Sequence, residues 1–524
     1  MTRKILWMVV SGLMVLSLLM AACGPAATTT PTTPTTPTAP VTITPQYGGV
    51  MKIIFNRPPT KIGYTPEVRS GNWPAAIPIH ETIMDSDQHG NVLPKLANEW
   101  EVGEDGKSAT FTLRKGIKFH DGTDLNAEAV KWNLDLQIEA KNSGTQIWES
   151  VDVIDDYTFR LNLSQWDCTV FSTLSRSSGQ VASPTAVEEN GIDWVRFNPV
   201  GSGPFKFKEF VRDTSLDYEK FDGYWQEGKP YLDGLGWIFI SDPLVQTAAL
   251  LAGKGQVIYR AQPLQAIELK EQGYQVLDLP TNLAKLTPLF KGSDSPYADL
   301  KVRQAVEYAI DKDGIGKARG FGFWETLKLF APSNSNGYIP DFEGRSYNPE
   351  KARQLLTEAG YPAGFKTDLL FESGAMDQDV AVAMQSNLND VGIDTTIEVL
   401  DHARVQEISN EGGVEGLFFD DTGANPFLLS NISRSFDPDN PVARDQLIPP
   451  GWKAVLNEAL ASRDDATIKT MTQKSVMYIY DEAMLVPLWG TSQPFVLHKS
   501  IHDTGFLISG QSHLWRPANA WMSK

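Results

Sequence analysis

The sequence predicts an α/β protein of two or three domains that is exported from the cytoplasm. Three observations carry this. The first is an apolar leader that ends at a cysteine. The second is size: 524 residues, 41% of them hydrophobic, exceed what one ordinary core organises. The third is a change of pattern, from alternating strand-like segments in the first half to helix-and-strand units beyond about residue 290.

The leader is MTRKILWMVVSGLMVLSLLMAAC. Arg3 and Lys4 form a positive start, Ile5 to Met20 an apolar run, and Ala21-Ala22 a small-residue site before Cys23. The run is short for a membrane span, which needs about 20 apolar residues. Residues 1–22 therefore read as a signal peptide and residues 23–46 as a Pro/Thr tether, too poor in large apolar residues to pack. The leader resembles a bacterial lipobox, with Met20 where Leu is usual, which makes Cys23 the expected lipidation site. An acyl anchor gains about 0.8 kcal/mol per buried methylene. The body is then held at a membrane on the extracytoplasmic side, and residues 5–20 left uncleaved would place it there too.

The formal charge of −18 argues against nucleic acid and against an anionic bilayer as partner. Of the 2 Cys, lipidated Cys23 leaves Cys168 alone, as a small buried hydrophobe. The 14 Trp supply flat apolar area, most of it for the core and some of it suited to a ligand cleft.

Along the chain, Val50 to Phe55 is a short strand. Residues 71–102 begin helix-like, with a helix over 79–84. Residues 109–119 alternate as a hairpin turning at Lys115-Gly116. A helix starts near Asn126, and 157–163 alternate as a strand. Strands and loops return from 199 to 243, where Gly201 and Gly203 let the backbone pass between domains, and residues 243–254 form a helix ending at Gly253. Asp299 caps the next helix. Asn348 caps another, with Pro349 at its first position and Gly360 as its stop. Residues 366–371, 378–391 and 395–400 make one βαβ unit.

The stretch LPKLANEWEVGEDGKSATFTLRKGIKFHDGTDLNAEAVKWNLD (93–135), then VGSGPFKFKEF (200–210), YWQEGKPYLDGLGWIFISD (224–242), DLKVRQAVEYAIDKDGI (299–315) and YNPEKARQLLTEAGYP (347–362) follow one another in order. In these five blocks the chain resembles the family 5 solute-binding proteins of ABC importers, the peptide, nickel and oligosaccharide group. The resemblance runs from about residue 47 to 524. It implies a two-lobed hinged fold like that of periplasmic binding proteins (type II, cluster C-like) with an extra β-rich third domain. Lobe I would take 47–84, 200–288 and 494–524, lobe II 85–199, and lobe III 289–493. Crossings near 287–290 and 490–495 would form the hinge, with the solute enclosed between lobes I and III.

The resemblance also implies site residues. Gly71, Asn72 and Trp73, in the loop before the expected 79–84 helix, match a segment that pairs with an extended ligand in peptide-binding relatives. In GLFFDDTGANP (416–426), relatives carry Gly-Trp-x-x-Asp, whose Asp meets the ligand's amino group. Asp420 aligns with that Asp, while Leu417 stands where Trp is usual. Phe418, Phe419 and Asp421 belong to the same candidate segment, and Trp489 and Tyr47 are further candidates. The implied partners are ABC permease subunits, a small solute (a peptide first, an oligosaccharide second) and the membrane through the lipid anchor, the protein itself being a monomer. No cofactor or metal is implied.

The rival class is an extracellular hydrolase. The chain lacks Gly-x-Ser-x-Gly, His-Glu-x-x-His and a Gly-rich phosphate loop. Asp420 and Asp421 are neighbours, so on a strand they face opposite ways and make a poor acid/base pair. His498 and His502 sit in a strand-and-turn context, and His120 flanks a turn. A receptor lipoprotein without a permease is the other alternative.

Overall fold

The computed structural model describes residues 44–68, 71–142, 144–290, 292–438, 445–507 and 514–524, with the backbone alone at 410. The signal peptide, Cys23 and tether residues 24–43 lie outside the described residues. Among those described, no helix is long and apolar enough to cross a membrane.

Two large sheets organise the body. The first has seven strands, in the order Phe205–Val211, Ser215–Lys220, Gly234–Phe239, Val50–Phe55, Val257–Ile258, Phe495–Leu497, Gln275–Leu277. The second has six, in the order Glu325–Thr326, Val486–Thr491, Asn282–Leu289, Gly416–Gly423, Phe365–Glu372, Ile393–Leu400. A separate antiparallel sheet of four strands orders Ala97–Val102, Ser108–Leu113, Thr158–Leu163 and Trp148–Asp155.

Local sequence signals account for many elements. Asn126 accepts from the Ala129 amide and starts the Ala127–Glu139 helix. Asp242, Asp299 and Asn348 cap the helices Pro243–Leu251, Leu300–Ala309 and Pro349–Glu358 in the same way. Phe365–Glu372, the Gln378–Asp390 helix and Ile393–Leu400 form the βαβ unit, with the two strands parallel and in register from Phe365↔Ile393 to Glu372↔Leu400.

Three expectations are corrected. The 79–84 helix is absent: a single helical turn, Trp73–Ala76, ends before Pro78, and Glu81–Thr82 and Met84–Ser86 are strands. Proline removes a helical donor, β-branched Ile79, Thr82 and Ile83 favour extension, and Glu81–Thr82 finds its partner in Gln180–Val181. No hairpin turns at Lys115-Gly116. Ser108–Leu113 pairs instead with Ala97–Val102 and Thr158–Leu163, while Ile117 and Phe119 reach the core from irregular chain. The chain enters the six-stranded sheet at Asn282, so the first crossing falls at 278–281 rather than near 287–290.

Each sheet has its own core. Met51, Ile53, Trp237, Tyr259 and Phe495 lie in the first, and Leu286, Val306, Leu369, Met384 and Leu417 in the second. A third core joins Phe111, Phe159 and Phe171, from the four-stranded sheet and the helix after it, to Phe427, Ile432, Trp452 and Val476. Trp166 Nε1 donates to Ser462 O at 2.9 Å and the Cys168 amide to Leu460 O at 2.9 Å across this contact. Cys168 is fully buried, as expected, and burial pushes its thiol well above the ordinary range. Gly201 has a close-approach role: a Cβ there would sit 2.2 Å from Ile79 O.

Candidate functional site

The topology turns one edge of each large sheet toward the two crossings. In the first sheet, Val50–Phe55 is parallel to Gly234–Phe239 and Val257–Ile258, so their carboxyl ends share an edge. Phe495–Leu497 starts at that edge and Gln275–Leu277 ends there, with Ile258 opposite Val496 and Leu277 opposite Phe495. The chain leaves through 278–281 and returns through 492–494. In the second sheet the facing edge carries Asn282, Gly423 and Thr491, which are mutually in register. The Thr281 amide donates to Thr491 O at 2.9 Å and ties the crossings together. Ligands of open α/β sheets bind beyond the carboxyl ends of the strands, a condition met by the parallel strands of the first sheet and by Gly416–Gly423 and Val486–Thr491 of the second.

Asp420 and Asp421 sit near the carboxyl end of Gly416–Gly423, at the crossing side. Their side chains follow the period-2 rule. Leu417 and Phe419 point into the core of the second sheet. Phe418 points the other way, against Leu289, Leu370, Leu400 and Ile408. Asp420 lies opposite Lys285 in the ladder and takes its ammonium at 2.5 Å. Lys285 is only 3% exposed, and its Nζ lies 5.9 Å from the Phe330 ring centroid. The carboxylate expected to meet an ammonium therefore already holds one.

Asp421 takes the opposite face. Asn282 Nδ2 donates to it at 3.3 Å and the Thr491 hydroxyl at 3.3 Å. Desolvation pushes its carboxyl up to about 6, with the Asp420 charge adding to the rise. A raised carboxyl favours the protonated folded state, so this group lowers stability as pH rises from about 4 through 6. Asp421→Asn is expected to gain about 1–3 kcal/mol at pH 7 and to flatten that part of the profile. Denaturation midpoints at pH 4, 5, 6 and 7 check this, and parallel profiles for the two proteins would refute it.

Beyond the first sheet's edge lies a pocket of about 480 Å³ lined by Arg57, Pro58, Thr60, Lys61, Glu67, Gly71 and Asn72. Asn72 is held by Thr60: its Oδ1 accepts from the Thr60 amide at 2.9 Å, and its Nδ2 donates to the hydroxyl at 3.0 Å. It sets the loop's shape rather than offering an open amide. Trp73 is 1% exposed, with Arg176 over its ring, and sits in the core beneath the loop. Gly71 remains at the pocket wall.

Two further candidates lie elsewhere. Trp489 is 1% exposed, donates from Nε1 to Lys312 O at 2.8 Å and packs 5.3 Å from Trp324. Burial and that bond take up its ring. Tyr47 precedes Val50–Phe55, at the end of the strand away from the crossings, and its hydroxyl donates to Gly228 O at 2.9 Å.

The structure thus brings Asp420 and Asp421 to one facing edge and Gly71 and Asn72 to the other. Sequence reasoning missed Lys285, Arg57, Asn282 and Thr491. A lysine inside the apolar run NLAKLTPL was the available signal for Lys285.

The three histidines singled out above make structural contacts. His120 Nε2 donates to Gly203 O at 2.9 Å, and burial pulls its pKa down to about 4. His498 bonds Ser500, and His502 stacks on Trp521. Among the described residues no group of His, Cys, Asp and Glu could hold a metal ion.

Residues 91–441 match the family described as bacterial extracellular solute-binding proteins, family 5 (middle region). The chain belongs to this family, whose members are solute-binding proteins of ABC importers and not enzymes. It is 30% identical over 452 residues to the glutathione-binding protein GsiB of Shigella flexneri serotype 5b, covering 82% of this chain and 86% of the relative. Among solved structures, HbpA2 from Haemophilus parasuis superposes with a TM-score of 0.80 at 20% identity, over 91% of this chain and 100% of that one. The periplasmic binding protein DppA from Helicobacter pylori, in complex with the peptide STSA, gives 0.73 at 22% identity, over 91% and 99%. The fold is the two-lobed fold of these binding proteins.

Proposed function

We propose that this chain captures a peptide-class solute between the two facing sheet edges and delivers it to the permease of an ABC importer. The observation that carries the solute class is the 30% identity to a glutathione-binding protein, spread over 82% of the chain, since glutathione is itself a tripeptide. The lobes proposed are 47–84, 200–281 and 494–524 (I), 85–199 (II) and 282–493 (III), with closure of I on III about the paired crossings. Closing excludes water, and the solute stabilises the closed state by its differential affinity for it. A net charge of −18 opposes self-association, in keeping with a monomer.

The leader supports a lipid anchor at Cys23 on the outer face of a membrane. Cys23→Ala is expected to move the protein from the membrane to the soluble fraction. Retention of the variant at the membrane would count against acylation.

The solute class is tested by thermal shift of the protein with glutathione, tri-alanine and maltotriose. A ligand at 100 times its dissociation constant adds about 2.7 kcal/mol. Stabilisation by the peptides and not by maltotriose is the expected result. The reverse pattern would make the protein an oligosaccharide binder.

A further inference from the structure

We propose that the pocket beside Gly71 receives a carboxylate of the solute, with the Arg57 guanidinium as its receptor. This deepens the peptide reading above and rests on it.

The charges around the pocket single out Arg57. Glu67 accepts from Arg196 through two bonds, at 2.8 and 2.7 Å, and pairs with Lys61 at 3.1 Å. The Arg196 bond holds its carboxyl below the ordinary range. Those three groups satisfy one another. Arg57 is exposed on the same wall and has no hydrogen bond or ion pair among the described residues. A guanidinium presents a planar fork of donors that matches a carboxylate with two parallel bonds.

The loop keeps that fork open to the pocket. A Cβ at position 71 would lie 3.0 Å from Arg57 Nη2, so glycine leaves the space the guanidinium occupies. Asn72, tied to Thr60 through three hydrogen bonds, fixes the loop before any solute arrives. Pre-set geometry lowers the ordering cost of binding.

The opposite edge points the same way. Lys285 already neutralises Asp420, and Asp421 is held by Asn282 and Thr491. Asp420 is therefore not free to take an incoming ammonium, and Asp421 is already engaged by two neutral donors. Among the described residues lining the pocket beside Gly71, Arg57 is the cation without an ion pair, so a carboxylate of the solute is what this pocket reads.

Isothermal titration of the protein with tri-alanine, tri-alanine amide and alanyl-glutamyl-alanine amide tests this, in wild type, Arg57→Ala and Arg57→Lys. For wild type, amidation should weaken tri-alanine about ten- to a hundredfold, the range of a charge-assisted hydrogen bond. In Arg57→Ala the acid and the amide should bind alike, and Arg57→Lys should recover part of the difference. Recovery of affinity by the glutamyl amide would assign the pocket to a side-chain carboxylate, its absence to the terminal one. An amidation penalty that is zero in wild type, or unchanged in Arg57→Ala, would overturn the proposal while leaving the peptide reading intact. Binding of none of the three peptides would overturn both.

Discussion

Glu307→Ala is expected to cost about 3–5 kcal/mol, the largest loss from any single side chain considered. Glu307 is 1% exposed and holds two buried cations, Lys312 Nζ at 3.1 Å and Arg345 Nη1 at 2.9 Å. Both cations are committed further. Lys312 also donates to Leu327 O, and Arg345 donates to Tyr480 O while lying 3.9 Å from the Tyr480 ring centroid. The cluster joins the Leu300–Ala309 helix to the start of the next helix, to the 321–348 connection and to the Asp465–Asp481 helix. Removing the carboxylate strands two positive charges in low dielectric, which costs far more than the net worth of the pair. Glu307→Gln keeps acceptor geometry and should lose less. The check is the chemical denaturation midpoint, and a loss under about 1 kcal/mol for Glu307→Ala would show that the cations find water instead.

Asp420→Ala is expected to destabilise the protein by about 1–3 kcal/mol before any solute is considered, because it orphans Lys285. The lower part of that range applies if water reaches the pair, since the Asp420 side chain is 37% exposed. Lys285→Met should be milder, filling the same space without a charge, and the double variant should return close to wild type. The functional outcome separates the same two residues. Lys285→Met bares Asp420 toward the crossings, and a peptide with a free amino terminus should then bind about tenfold tighter. A double-mutant cycle on stability, with titration of tri-alanine alongside, reads both effects. An Asp420→Ala variant as stable as wild type would show that the Lys285–Asp420 pair contributes nothing to stability.

Most local structure was legible because its causes are local. The caps at Asn126, Asp299 and Asn348 and the βαβ unit follow from neighbouring residues. The misses share a different cause. Glu81–Thr82 became a strand because Gln180–Val181 lies beside it, and Ser108–Leu113 chose partners on both sides instead of folding back at Lys115-Gly116. Such pairings are set across the chain. The site divides the same way. Alternation along 416–423 predicted that Asp420 and Asp421 would face apart, as they do. That Lys285 would stand opposite Asp420, 135 residues away, depends on a register no local pattern encodes. Trp489 looked available because it lies near a crossing, yet the Lys312 carbonyl takes its only donor.

The bond between Thr281 and Thr491 has a mechanical consequence. One connecting segment would let the two halves swivel as well as bend. Two segments, running in opposite directions and stapled to each other, resist relative twist and leave bending as the soft motion. On the closure proposed above, residues 57 and 420 would approach along a single reproducible arc, and a solute caught on one edge would always meet the same groups on the other. The selectivity of the proposed closed state would in this sense be set partly by a backbone bond remote from the solute.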